Sequence, residues 1–382
     1  PPMSRELASP EARQPSTIHE HTITSSNEAR RDTSKVCHAR PESPPGIAPR
    51  RAWTDGSATC TLGRMELHSL GGYRLIKPLA SLTPVSRIFL ACLESAPADA
   101  PATHVAKVLM PGQGDDFAHY RAQFEHECKL LRHFSHPGIP SVRVAGAQDG
   151  VDYFVMDYVE GVDLATLLGH GSGQASEHTR ALGKDQAVYI LGQLADALRY
   201  VHEFEVPNEA EDDFEPLEVL HRDICPANVL LSVDGDVVLI DFGSASSRWL
   251  SPEHTAAQAG HVAYKAPARV TGSSKATVRS DLFSLAVVLW EMLRGERCFK
   301  AGSELETMDA IVRFDISHAS RRVSGLSTKL SEVLRRNLDR DPERRYPDAY
   351  KVLQRLSQSP EAAAAERARQ ELAALVCDAL DG

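Results

Sequence analysis

Asp223, Asn228 and Asp241 are the residues whose types and spacing best suit chemistry on a metal-bound phosphate. Asp223 and Asn228 sit in the run His221-Arg222-Asp223-Ile224-Cys225-Pro226-Ala227-Asn228, and Asp241 opens Asp241-Phe242-Gly243 after a short apolar run, 237–240. Asn228 and Asp241 offer oxygen ligands of the kind a hard Mg2+ ion takes, and Asp223 is placed to accept the proton of an attacking hydroxyl. The chemistry this set suits is phosphoryl transfer from a Mg-nucleotide.

Elements that could position these residues follow from the patterning of the chain. Strand-like runs at 87–92, 104–109 and 141–147, broken by one helical stretch at 117–134, predict a small, mostly antiparallel lobe. A further strand at 151–157 and a Gly-containing link lead into long helical segments, with short strands only around 219–241. Leu191, Leu194, Ala195, Leu198 and Val201 keep helical spacing, while 281–293 is apolar nearly all round and predicts a buried central helix. The expected fold is therefore α+β with two lobes, a β-rich N-lobe carrying one helix (72–157) and a larger helical C-lobe (158–356). An Ala-rich segment at 359–382 reads as an appended helical tail, solvated and loosely packed. Residues 1–68, rich in Pro, Ser, Thr, Arg and His, have too few aliphatic clusters to offset the entropy of ordering and are expected to be disordered. The chain opens on Pro1-Pro2, and Met3 or Met65 is read as the translation start.

Composition narrows the function classes. A chain of 382 residues with a net charge of -10 has no basic excess for general nucleic-acid binding. Its cysteines, at 37, 60, 92, 128, 225, 298 and 377, are odd in number and include no CxxC pair, so neither a disulfide framework nor a zinc site is expected, and a reducing cytoplasm fits. The longest strongly apolar run, 285–290, falls far short of the roughly 20 residues a membrane span needs, and no secretory h-region is seen.

Taken in order, the motifs resemble those of a eukaryotic-type Ser/Thr protein kinase of the sort also common in bacteria, over residues 72–356. Val105-Ala106-Lys107 resembles the third-strand motif whose Lys neutralises the nucleotide phosphates. Glu125 and Glu127 are both available as its ion-pair partner, and counting back from His136-Pro137 favours Glu127. The resemblance makes Asp223 the base or substrate-orienting carboxylate, Asn228 and Asp241 the metal ligands, and Met156 with Asp157, Tyr158 and Val159 the gatekeeper and the hinge that meets adenine. Tyr264-Lys265-Ala266-Pro267 resembles the end of an activation segment, Asp281 the acid that braces the catalytic-loop backbone, and Arg345 the late structural Arg. The implied ligands are ATP and Mg2+, and the implied partner is a protein with a Ser or Thr acceptor. Ser244, Ser246, Ser247, Ser251 and Thr255 are candidate acceptors for autophosphorylation, whose phosphate would compensate Arg222.

The pattern breaks at several places. Ser81, Thr83 and Ser86 stand where the phosphate-covering loop should have glycines, leaving hydroxyls in place of closely approaching backbone amides. Cys225 replaces the Lys usual two residues after the catalytic Asp, and His261 replaces the hydroxyl residue that faces the same Asp, so the two changes are read as coupled. Ala268 removes the Glu expected to pair with Arg345, which is then expected to find another acid or to be solvated. The acidic stretch 207–218 reads as a solvated loop. Two functions fit: a Ser/Thr protein kinase, and an ATP-binding pseudokinase acting as a scaffold. Retention of every residue that handles metal or proton favours catalysis.

Overall fold

The computed structural model describes residues 61–62, 65–80, 85–112, 115–170, 180–208, 213–255, 260–299, 302–315 and 322–381. Ser81, Thr83, Glu209, Glu211 and Asp212 lie outside the described residues, as does nearly all of the segment expected to be disordered.

A two-residue hairpin, β1 (Thr61–Leu62) and β2 (Met65–Glu66), precedes the first lobe. The lobe itself is one antiparallel sheet of six strands, in the order β3 (Ser69–Leu70), β4 (Tyr73–Ala80), β5 (Ser86–Leu93), β6 (His104–Leu109), β8 (Val151–Asp157) and β7 (Val142–Gln148). Alternation along β6 sends Ala106 and Val108 into a small core with Leu67, Leu70, Phe89, Val151 and Val155, and leaves Val105 and Lys107 facing the opposite side. Leu67 is thus a core residue although the composition of its neighbours predicts disorder; one buried Leu beside a sheet edge leaves no compositional trace.

One helix, α1 (Asp115–His133), packs beside this sheet. It is also tied to the segment after Asp241. His126 Nε2 lies 2.7 Å from Ser247 Oγ, and the Lys129 ammonium sits 3.9 Å from the centre of the Trp249 ring, which also meets His133. Ser247, a candidate phosphoacceptor by sequence, is buried in this contact.

The second lobe is built on α3 (Lys184–His202) and α5 (Val278–Arg294), which follow the short β9 (Gly161–Asp163) and α2 (Leu164–Leu167). Every residue from 281 to 292 is buried, as the apolar run predicts. Gly295, at φ 68, ends α5 in the left-handed cap that glycine adopts without strain. A three-stranded sheet, ordered β13 (Val237–Leu239), β12 (Val229–Ser232), β9, carries the catalytic-loop motif and Asp241 at the same end, because the antiparallel pairing sets Val229 opposite Leu239 and bonds the Ile240 N–H to the Asn228 carbonyl. The helices α4 (Pro267–Val270), α6 (Glu304–Val312), α7 (Thr328–Asn337) and α8 (Ala349–Leu356) complete the lobe. Among the described residues no helix is long and apolar enough to cross a membrane.

Three expectations are corrected. The acidic stretch is not a plain loop, because β10 (Glu205–Asn208) and β11 (Asp213–Pro216) pair as an antiparallel hairpin, and Glu215 bonds Arg248 at 2.8 Å. The terminal helix α9 (Ala365–Asp381) is not loosely solvated: Ala368, Leu372 and Val376, one helical turn apart, are fully buried where it packs on α3, β9 and β12. Scattered charges hid this stripe because only every fourth residue is buried. Arg345 is not solvated, and among the described residues it forms no ion pair. Only 2% exposed, its guanidinium donates to the carbonyls of Asp339 (2.8 Å), Arg279 (3.0 Å) and Arg340 (3.3 Å) and lies over the Phe283 ring. Backbone oxygens can satisfy a planar fork of donors as geometry, though not as charge, and burial pulls its pKa down to about 10.

Two outcomes test these contacts. Leu372→Ala is expected to lower unfolding free energy by about 2–5 kcal/mol in urea titrations, whereas a loosely attached helix would lose a few tenths. Burial, aided by Lys129, depresses the His126 pKa from 6.5 to about 4. Its neutral ring leaves stability intact above pH 6.5; as pH falls toward 4 the unfolded chain takes up a proton the folded one refuses, and stability declines. His126→Gln is expected to flatten that decline in melting temperature; an unchanged pH profile would show that His126 contributes nothing to it.

Candidate active site

The site begins with a charge that must be buried. Lys107, on the cleft-facing side of β6, is 5% exposed, and its Nζ donates to both oxygens of Glu127 (2.9 and 2.7 Å) and to Asp241 Oδ1 (3.0 Å). Burial alone would strip the ammonium of its proton, but the carboxylates of Asp241 and Glu127 outweigh it and hold the Lys107 pKa above its ordinary value. Of the two candidate partners, Glu127 is the one brought to Lys107; Glu125 lies on the outer face of α1 and bonds Arg121.

Asp241 reaches this pair from an unusual backbone. Its φ of 63 and ψ of 79 are left-handed, and its Oδ1 also accepts from the Gly243 N–H. A side chain at Gly243 would press on Asp241 Oδ1 and Glu127 Oε2, so glycine lets the segment lie against the ion pair. Phe242 turns inward, with its ring against those of His221 and Phe134. Burial would raise the Asp241 carboxyl, yet the neighbouring Lys107 ammonium holds it below the usual carboxylate range.

Asp281, in the first turn of α5, anchors the catalytic loop as the sequence suggests. Its two oxygens accept the backbone N–H groups of His221 and Arg222, both at 3.0 Å, and His202 Nε2 adds a contact at 2.9 Å. These bonds stabilise a turn in which Arg222 has φ 69. His221 lies 3.2 Å from the Ile240 carbonyl, linking the loop to the strand that leads to Asp241.

Asp223 and Asn228 meet on this turn. Asn228 Nδ2 donates to the Asp223 carbonyl (2.8 Å) and to Asp223 Oδ2 (3.1 Å), which leaves the Asn228 amide oxygen as its ligand atom. Asp223 Oδ1 takes the His261 backbone N–H at 2.8 Å and faces His261 Nδ1 at 2.9 Å. Burial opposes ionisation of Asp223, but these His261 contacts hold its pKa below the ordinary value. Cys225 Sγ lies 3.5 Å from the same Nδ1, so the two departures from the family pattern meet at the imidazole that faces Asp223. Burial pushes the Cys225 thiol up, which opposes a reactive thiolate.

A cleft of about 410 Å3 opens beside these groups, lined by Leu79, Ile88, Val105, Met156, Leu230 and Ile240, with Lys107, Glu127 and Asp241 at its polar end. Asp157, Tyr158 and Val159 border it, and Asp157 is held by Arg143 through paired bonds of 2.7 and 2.6 Å. Apolar walls with a few convergent charges suit a nucleotide base and its phosphates. Ser86, buried at the first position of β5 opposite Leu109, lies on the same face of that strand as the cleft-lining Ile88.

Glu291 escaped the sequence reading. Fully buried on α5, it accepts from Tyr264 Oη (2.8 Å) and the Cys298 N–H (3.0 Å), fixing the end of the segment that carries His261. One acid inside an otherwise apolar helix was the available signal.

Comparison with known proteins agrees with this geometry. Residues 100–356 match the family model described as protein kinase domain. The chain is 30% identical over 287 residues to tyrosine-protein kinase MasK of Myxococcus xanthus, covering 74% of this chain and 42% of that protein. It is 30% identical over 250 residues to serine/threonine-protein kinase PknB of Mycobacterium tuberculosis, covering 64% of this chain and 36% of PknB. To serine/threonine-protein kinase PknJ of Mycobacterium bovis it is 31% identical over 260 residues, 66% of this chain and 40% of PknJ. The chain thus spans well under half the length of each of these relatives.

Proposed function

The chain belongs to the protein kinase family, and from that premise we propose that it transfers the γ-phosphoryl group of ATP, with Mg2+, to Ser or Thr hydroxyls of proteins. The observation that carries this reading is the buried Lys107 ammonium held between Glu127 and Asp241 at the polar end of an apolar cleft. Such an arrangement presents a fixed cation to phosphates at no cost of reorganisation.

Each side chain has a task in this reading. Lys107 binds phosphate oxygens, and Glu127 keeps it in place. Asn228 and Asp241 would hold Mg2+, and a carboxylate with an amide oxygen is a donor set that suits this ion. When bound, Mg2+ neutralises charge on the phosphate oxygens and draws them into line. Asp223 Oδ1 is engaged by His261, so Oδ2, which accepts only from Asn228, is the oxygen left to orient the acceptor hydroxyl and take up its proton. Met156 and the backbone of 157–159 meet the adenine. Ser81 and Thr83, which lie outside the described residues, keep their proposed place over the phosphates. PknB and PknJ, named as serine/threonine kinases, support Ser and Thr as acceptors, whereas MasK is named a tyrosine kinase. Positioning and electrostatics supply most of the acceleration in such reactions, so the absent loop glycines weaken turnover more than they abolish it.

Transfer of label from ATP to the chain itself and to a generic basic protein, followed by phosphoamino-acid analysis, tests the proposal. Wild type is expected to yield phosphoserine or phosphothreonine, and Asp223→Ala and Asp241→Ala to lower the rate about 100-fold or more. Equal labelling in all three would reveal contamination. A Mg-ATP-dependent rise in melting temperature without any transfer would replace catalysis by a scaffold role, and phosphotyrosine alone would overturn the acceptor class.

A further inference from the structure

We propose that Asp223, Cys225 and His261 form a binding site for a borderline-soft divalent cation of the zinc class, and that an ion held on Asp223 Oδ1 draws charge from the carboxylate and makes Oδ2 a poorer acceptor for the hydroxyl proton. One carboxylate oxygen, one sulfur and one imidazole nitrogen, all within 4.8 Å of one another, converge there. Sulfur and imidazole favour zinc over Mg2+, which takes oxygen ligands and keeps its waters.

The two separations that involve His261 Nδ1 come close to those of ligands on a shared ion. Tetrahedral bonds of about 2.3 Å to sulfur and about 2.05 Å to nitrogen place those two atoms about 3.6 Å apart. His261 Nδ1 and Cys225 Sγ are 3.5 Å apart. The same geometry sets nitrogen and carboxylate oxygen about 3.3 Å apart, a few tenths wider than the 2.9 Å between His261 Nδ1 and Asp223 Oδ1. A single Nδ1 faces both the oxygen and the sulfur and can give its one proton to only one of them, whereas a metal ion engages all three at once. The ion displaces the proton on Nδ1 and the thiol proton of Cys225, as coordination to sulfur requires. With three protein ligands, the fourth position is left for water.

The surroundings preorganise these ligands. Gly260 has φ +87, and a Cβ there would collide with the Arg222 carbonyl oxygen, so only glycine lets the segment lie directly on the catalytic loop. That approach also gives Asp223 Oδ1 the His261 N–H, a bond that survives metal binding and orients the carboxylate. Asn228 steadies the opposite side, donating its backbone N–H to the Cys225 carbonyl and its amide to Asp223. Cys225 and Asp223 are buried, while the His261 side chain is 59% exposed and gives ions a route from solvent. The same two substitutions that remove the family's Lys and hydroxyl therefore supply the soft ligands. The cysteine positions alone predict no zinc site because the donors come from two separate segments.

Binding at this site stands independently of the proposed activity; inhibition by the bound ion rests on it. The test uses the full chain, stripped of metal and titrated with Co2+ in excess Mg2+, with Zn2+ as competitor. Wild type is expected to show a thiolate-to-cobalt absorption band that Zn2+ abolishes. The band should vanish in Cys225→Ser, persist in Cys298→Ser, and need roughly 10-fold or more Co2+ in His261→Ala, at least the loss that removing even an outer-shell partner causes. Melting curves matching wild type establish that each variant is folded. No band in wild type, or a band that survives in folded Cys225→Ser, overturns the site. In the transfer assay, Zn2+ should suppress wild type and leave the ratio of rates with and without Zn2+ near one in Cys225→Ser. A cobalt band with transfer indifferent to Zn2+ overturns the inhibition. A chain that never transfers phosphate sinks the kinase reading instead, while the cobalt spectra still decide the site.

Discussion

A buried ammonium cannot stand alone in a protein interior, and the geometry around Lys107 follows from that constraint. Placing it between β5 and β8 needs a carboxylate from α1 and another from the turn after β13. Removing either partner from such a cluster leaves an uncompensated charge in low dielectric, at a cost of several kcal/mol. The orientation of α1, the left-handed turn at Asp241 and the register of the six-stranded sheet must therefore agree to within the reach of a hydrogen bond. His126, Lys129 and His133, on α1 with Glu127, help secure that agreement by gripping the Ser247–Trp249 stretch.

Asp281 imposes a second constraint of the same kind. Its carboxylate is spent on two backbone N–H groups and a histidine, none of which takes part directly in the proposed chemistry. The return is a catalytic loop held in a conformation that Arg222 would not adopt unaided. Glu291 does comparable work one face away on α5, where it holds Tyr264 and so the segment bearing His261. Both acids lie on the most buried helix, which makes α5 the reference against which the mobile chemistry of phosphoryl transfer would be aligned.

Where the chain departs from its family, the structure substitutes in different ways. Arg345 exchanges an absent Glu for three backbone carbonyls, keeping its hydrogen bonds without a paired carboxylate, and burial lowers its pKa despite the Asp339 and Asp341 charges nearby. At Cys225 and His261 the replacement instead sets an imidazole against the Asp223 carboxylate and a thiol against that imidazole.

What the sequence determined by itself is whatever is written in short spacing. The alternation of β6, the apolar run of α5, and the order Lys107, Glu127, Asp223, Asn228, Asp241 were all legible, because side-chain period and motif spacing are local properties of the chain. Even the choice of Glu127 over Glu125 followed from a nearby landmark. Only the tertiary structure decided that Leu67 and α9 belong to buried surfaces, that carbonyls receive Arg345, and that Asp223, Cys225 and His261 share one point in space. Those outcomes depend on contacts between segments tens of residues apart, and burial or pairing at such distances is settled by how the elements pack, which no local pattern encodes.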